Sequence, residues 1–222
     1  MSRTAYTLLI TSLLVAGCAR APDGKGARDG RSAQKDHDDV GDLAPIAPSD
    51  RDGGGAVVDV GAFRARFPPG YPKPKRTIRK LREGRAVAFV SGTADGVCLV
   101  LGAEERGDPI ERSLPSFEQG LIGEGGHLEA AKSFTYAGKP ARTGLFTSRD
   151  DDGATTYWRY LAVTDGQRLF AAIFMSKREP ARRTPEVDAF LSSLRVGTGP
   201  VPRPDDQGEE PSSDGDGGGL SI

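Results

Sequence analysis

The chain has 222 residues, with 30 lysines and arginines against 31 acids, so its formal net charge is −1. Residues 57–196 hold one cysteine, Cys98, and one histidine, His127, which do not make a structural zinc site, since that takes four such ligands. No Gly-x-Ser-x-Gly elbow, phosphate loop or dinucleotide fingerprint occurs, which removes the common motif-borne chemistries and any expectation of a cofactor.

The first residues read MSRTAYTLLITSLLVAGC. Arg3 gives a positive end, and Ala5 to Ala16 gives an apolar run broken only by Thr7, Thr11 and Ser12. A helix that spans a bilayer needs roughly 20 apolar residues, so this run suits a secretory signal peptide instead. Small residues then precede a cysteine. Val15-Ala16-Gly17-Cys18 resembles the lipobox of bacterial lipoproteins. The resemblance implies a diacylglyceryl group on the Cys18 sulfur, cleavage between Gly17 and Cys18, and an acyl anchor in the cell envelope. Ala19 stands where an aspartate retains such proteins at the inner membrane, which turns the expectation toward the outer membrane. The alternative is an ordinary signal peptide that happens to contain a cysteine.

Residues 18–56 hold only three large aliphatic residues, Val40, Leu43 and Ile46, among many Gly, Pro, Asp and Ala. Such a segment buries too little apolar surface to offset its ordering entropy, and a disordered tether is expected. Within it, Asp36-His37-Asp38-Asp39 is read as a solvated charge run. Residues 197–222 carry six acids against Arg203 alone, a net of −5, and read as a disordered acidic tail.

Residues 57–196 form one domain by length. They hold 22 lysines and arginines against 17 acids, a net of +5, so the near-neutral total hides a basic domain with an acidic tail. Phe63 to Phe67 alternates apolar residues with arginine, as a half-exposed strand does. RAVAFV and VCLVL flank a turn at SGTADG, Gly-Lys-Pro marks a second turn, and Thr164-Asp165-Gly166-Gln167 a third. Asp150-Asp151-Asp152-Gly153 is read as another turn. Successive hairpins predict an antiparallel sheet with one packed face. Val187, Phe190, Leu191 and Leu194 make one helical stripe, with Thr184 as cap and Pro185 in the first turn. Four glycines in the stretch from Ser116 to Ala131 limit it to a short helix and a loop. The expected class is α+β: a twisted antiparallel sheet of about six strands, packed by a C-terminal helix and a short middle helix.

The opening Gly61-x-Phe63-x-x-x-Phe67-Pro68, the Gly-Lys-Pro-Ala-Arg turn, the YWRYLAVTDGQRLFAAIF hairpin and the final FLSSLRV resemble PsbP/Mog1-like domains. That resemblance implies a sheet backed by helices and a non-enzymatic binding or assembly role. It carries no functional residue to a position here.

Nucleophilic catalysis needs a thiol or hydroxyl beside a base. The domain offers Cys98, read as a small buried hydrophobe in the apolar run GVCLVLG, and His127, and no catalytic residue is assigned. The alternative is an envelope hydrolase using Cys98 or His127. The salient feature is YPKPKRTIRKLREGR, where Lys73, Lys75, Arg76, Arg79, Lys80, Arg82 and Arg85 stand against Glu83 alone, a net of +6. Ile78 and Leu81 would dock this segment while the charges face water. It reads either as a solvated face or as a contact surface for anionic lipid, lipopolysaccharide or an acidic envelope partner, with no nucleic acid expected.

Overall fold

Two antiparallel meanders, joined side by side, make up the main sheet. The structure, a computed structural model, describes residues 46–48, 54–80, 84–105, 114–122, 126–149 and 153–203. The expected signal peptide with Gly17 and Cys18, most of the expected tether, Arg82, Asp150 to Asp152 and the acidic stretch from 204 onward lie outside the described residues.

The first meander is β3 (Lys75–Lys80), β4 (Gly84–Gly92) and β5 (Val97–Glu105). The second is β6 (His127–Tyr136), β7 (Lys139–Arg149), β8 (Thr155–Asp165) and β9 (Arg168–Ser176). They meet where β5 pairs with β9, giving the order β3-β4-β5-β9-β8-β7-β6. A smaller sheet, β1 (Val57–Asp59), β2 (Phe63–Arg66) and β10 (Arg195–Val196), has β2 in the middle. Helix α1 (Leu114–Ile122) connects β5 to β6, and α2 (Pro185–Ser192) precedes β10.

The fold is therefore richer in sheet than the expected balance. Ten strands are described where about six were expected, and the two helices are nine and eight residues long. The added strands are short or polar: β1 and β10 have three and two residues, and β3 is mostly cationic. His127 to Ala131, expected as loop, begins β6. Gly-Lys-Pro is not itself the second turn. The two loop residues are Ala137 and Gly138, with φ of 48° and 79°, and Lys139 and Pro140 already belong to β7.

One packed face was expected, and both are packed. Continuous apolar runs such as AVAF and VCLVL exist because alternate residues enter two different cores. On one face Val87, Phe89, Cys98, Val100, Leu161, Phe170 and Phe174 pack with Phe63 of the small sheet, with Phe67 just past it, and with Val187, Phe190 and Leu191 of α2. On the other, Leu99, Leu101, Phe146, Trp158, Tyr160 and Ile173 pack with Leu114, Phe117 and Leu121 of α1. Close approach needs small residues at two points. A Cβ on Gly102 would stand 2.7 Å from the Phe63 ring, and one on Gly144 would stand 2.6 Å from the Tyr160 ring; both are shorter than a van der Waals contact.

The described chain also passes the expected boundary at Val196. Gly197 and Gly199 amides donate to the Ala62 and Gly61 carbonyls at 2.8 and 3.1 Å. Val201 is fully buried. Ile46, in the expected tether, belongs to the same core.

Candidate basic edge and buried charge clusters

β3 is one of the two edge strands of the main sheet. A strand has a side-chain period of two, so its cations cannot share a face as they would on a helix. Lys75 lies opposite Val90 and Arg76 opposite Phe89, which places them on opposite faces of the sheet. Lys73, Lys75 and Arg76 are exposed. Ile78 packs against the core as expected, and Pro72 and Pro74 lead into the strand. Arg79 and Lys80 pair by backbone with Ala86 and Arg85. Among the described residues no strand pairs with the outer side of β3, so cations of both faces line a single rim.

Arg85 leaves this group. It sits on β4 and donates to Glu104 from Nη2 at 2.8 Å and from Nε at 3.2 Å. It begins a row of alternating charge across the sheet. Arg85 lies opposite Glu104, Glu104 opposite Arg168, and Arg168 opposite Asp165. Arg168 pairs with Asp165, and Lys139 of β7 reaches Asp165 at 3.1 Å. The same row holds the chain after β10: Arg168 Nη1 donates to the Gly199 carbonyl at 2.9 Å, and the Val201 amide donates to Glu104 at 3.3 Å. Partial burial works to raise the Glu104 and Asp165 pKa values. Their cationic hydrogen-bond partners outweigh it and hold both carboxyls below the usual range.

Cys98 and His127 are not brought together. Cys98 lies on β5 and His127 on β6, with β9, β8 and β7 between them, a separation of roughly 19 Å at strand spacing. Cys98 is fully buried. Burial pushes its thiol pKa up, and its hydrogen bond with Tyr71 only partly offsets this. Burial likewise pushes the Tyr71 hydroxyl up to about 12. A thiol held neutral in an apolar layer is a poor nucleophile. His127 stands exposed at the start of β6.

Two buried charge clusters escaped the sequence reading. Under α1, Glu118 is 5% exposed. Arg142 grips it with Nε 3.1 Å from both carboxylate oxygens and Nη2 at 2.9 Å, and the Tyr160 hydroxyl donates to Oε1. Burial alone would lower the Arg142 pKa, but the Glu118 carboxylate reverses the sign. Burial and that same carboxylate raise the Tyr160 pKa. The second cluster centres on Arg182, 1% exposed in a 3-10 turn (Glu179–Arg183). Arg182 reaches Glu129 at 2.6 and 3.1 Å and lies over the Tyr157 ring at 5.0 Å. In both clusters the carboxylate is engaged by arginine, so they latch α1 and the 3-10 turn to the sheet.

Among the described residues, no group of three or more His, Cys, Asp or Glu side chains is placed to hold a metal ion. Within them, no helix is long and apolar enough to cross a membrane.

No family model matches the chain, PsbP/Mog1-like models included, and no curated protein matches it. Similar solved structures include a Bacteroides thetaiotaomicron protein, 9% identical with a TM-score of 0.38, covering 61% of this chain and 45% of that one. Another is LpqN, described as involved in cell envelope biogenesis of Mycobacterium tuberculosis, 12% identical with a TM-score of 0.39, covering 58% and 87%. A third is PA94 of Pseudomonas aeruginosa, of unknown function, 12% identical with a TM-score of 0.30, covering 57% and 83%. This chain spans less than half of the Bacteroides protein. All three scores lie below 0.5, so none of their properties is transferred here.

Proposed function

We propose that the protein is a lipid-anchored component of a bacterial cell envelope. Its sheet domain is a non-enzymatic binding module that contacts an anionic envelope component through the β3 rim. The observation that carries the binding role is the exposure of Lys73, Lys75 and Arg76 along an edge strand of the main sheet. The location rests on Val15-Ala16-Gly17-Cys18, with Cys18 as the acylated residue and Ala19 directing the chain to the outer membrane. Two or three acyl chains hold a protein at a membrane far more firmly than one. The anchor brings the cationic rim to lipopolysaccharide or anionic phospholipid.

The test uses the full chain with Lys73, Lys75 and Arg76 changed to Glu, beside the unmodified chain. Binding to phosphatidylglycerol vesicles and to lipopolysaccharide is measured at low and physiological salt. About 1 kcal/mol per cation near an anionic surface predicts a loss on the order of a hundredfold. Affinity of the unmodified chain should also fall as salt screens the contact. A Cys18→Ala chain should leave the membrane fraction or remain unprocessed, and unchanged partition and mass would remove the anchor from the proposal.

A second reading is favoured by Pro72, Pro74 and the cations lying together at an edge strand. Lysine and proline are common guards of exposed strands against pairing with another chain. Equal vesicle binding by both chains, together with self-association of the Glu variant, selects that reading.

A further inference from the structure

We infer that the acidic segment Asp205 to Asp216 of this same chain seats on the β3 rim as an intramolecular cover. Position argues for it before charge does. Val201 is buried and its amide is held by Glu104, which also accepts from Arg85. Arg85 is paired with Lys80, the last residue of β3. The chain therefore leaves the domain two strands from β3, roughly 10 Å at strand spacing. Four extended residues from Val201 reach roughly 13 Å, so Asp205 and Asp206 already span that gap.

Charge complementarity follows. The segment carries Asp205, Asp206, Glu209, Glu210, Asp214 and Asp216 without a cation, and the stretch 73–80 carries Lys73, Lys75, Arg76, Arg79 and Lys80 without an acid. Its twelve positions can run well beyond the roughly 20 Å length of a six-residue strand. Strand addition is not the mode of contact. Asp, Gly and Pro are depleted in strands, and DDQGEEPSSDGD has no alternating apolar residue to pack. The contact is electrostatic and sensitive to salt, and attachment to the same chain compensates for weak individual pairs by high effective concentration. As a contact it stands on geometry and charge. As a competitor that keeps the rim from anionic surfaces until they are dense enough to displace it, it rests on the binding role proposed above.

Zero-length carbodiimide coupling of the full chain reads the contact without any ligand. Mass spectrometry should find Asp205, Asp206, Glu209 or Glu210 joined to Lys73, Lys75 or Lys80 at low salt, and the yield should collapse at about 0.5 M salt, where screening is complete within a few ångströms. Coupling spread evenly over Lys132, Lys139 and Lys177, or none at β3, overturns the inference. A second arm changes Asp205 and Asp206 to Asn and Glu209 and Glu210 to Gln. This should raise affinity for phosphatidylglycerol vesicles about tenfold at low salt, and much less at high salt. Coupling to β3 with unchanged vesicle affinity overturns the competitive role. Coupling to β3 with no vesicle binding by either chain upholds the contact and refutes the binding role instead.

Discussion

Glu118 shows what one side chain can decide. It lies between Leu114 and Leu121 on the buried stripe of α1 and is gripped by Arg142 and Tyr160. Removing one partner of a buried pair leaves the other desolvated and uncompensated, at a cost of about 3–5 kcal/mol. Glu118→Ala should therefore lower the urea midpoint far more than Gln119→Ala, a control at the exposed neighbouring position. A loss under about 1 kcal/mol would mean that Arg142 finds water when its partner goes, as an exposed ion pair does. Both buried clusters escaped the sequence reading, although the hydrophobic spacing holds a signal for one of them. Leu114, Glu118 and Leu121 stand at i, i+4 and i+7, so an acid on an apolar stripe signals a buried carboxylate. Its arginine, 24 positions away on β7, carries no such mark, because only the sheet pairing places it beneath the helix. Cys98 was legible for the opposite reason: everything around it in the chain is apolar.

At the scale of elements, tight turns were the clearest feature and their residues the least certain. The β8–β9 loop is Gly166-Gln167, with Gly166 at φ 60°, as Asp-Gly between apolar runs implied. The β6–β7 loop requires positive φ at Ala137 and Gly138, a pair of values that favours Asn-Gly. At that φ the alanine Cβ crowds the following carbonyl oxygen, at a cost of roughly 1–2 kcal/mol. Ala137→Asn should stabilise the protein by about 0.5–1 kcal/mol, since asparagine tolerates this conformation better. The readout is a higher melting temperature with unchanged spectra; a decrease would refute the strain. Helix α2 was readable because its cap is local: Thr184 Oγ1 accepts from the Val187 amide at 3.4 Å. β3 was not readable as a strand. Its cations mask the period-2 pattern, and Ile78 is the hydrophobe it packs against the core, so its pairing depends on β4 and not on its own composition.

Across the whole molecule, the charge row from Arg85 to Lys139 ties five strands to the last described segment. Glu104 and Asp165 titrate below their unfolded values, so the row contributes its stability above about pH 4 and loses it as pH falls through the lower folded values. Glu104→Gln should destabilise the protein at neutral pH and flatten the decline of the urea midpoint below about pH 4. An unchanged acid limb would place the sensitivity elsewhere. The joint between the two meanders has a different consequence, for the order of events in folding. Hairpins β4–β5 and β8–β9 close over loops of a few residues, whereas Val100 and Ala172 meet across 72 positions of chain. Closing that loop costs roughly 3 kcal/mol more entropy than closing a hairpin, and the apolar strands on either side stay unpaired at one edge until it is met. Each meander should therefore acquire protected amides first, and the amides bonded between β5 and β9 last; pulse-labelled hydrogen exchange during refolding resolves the two sets, and simultaneous protection would mean a single nucleus. Until the halves join, each exposes a long apolar rim, so the interval between those two events is when this chain is most open to capture by chaperones or by its own copies.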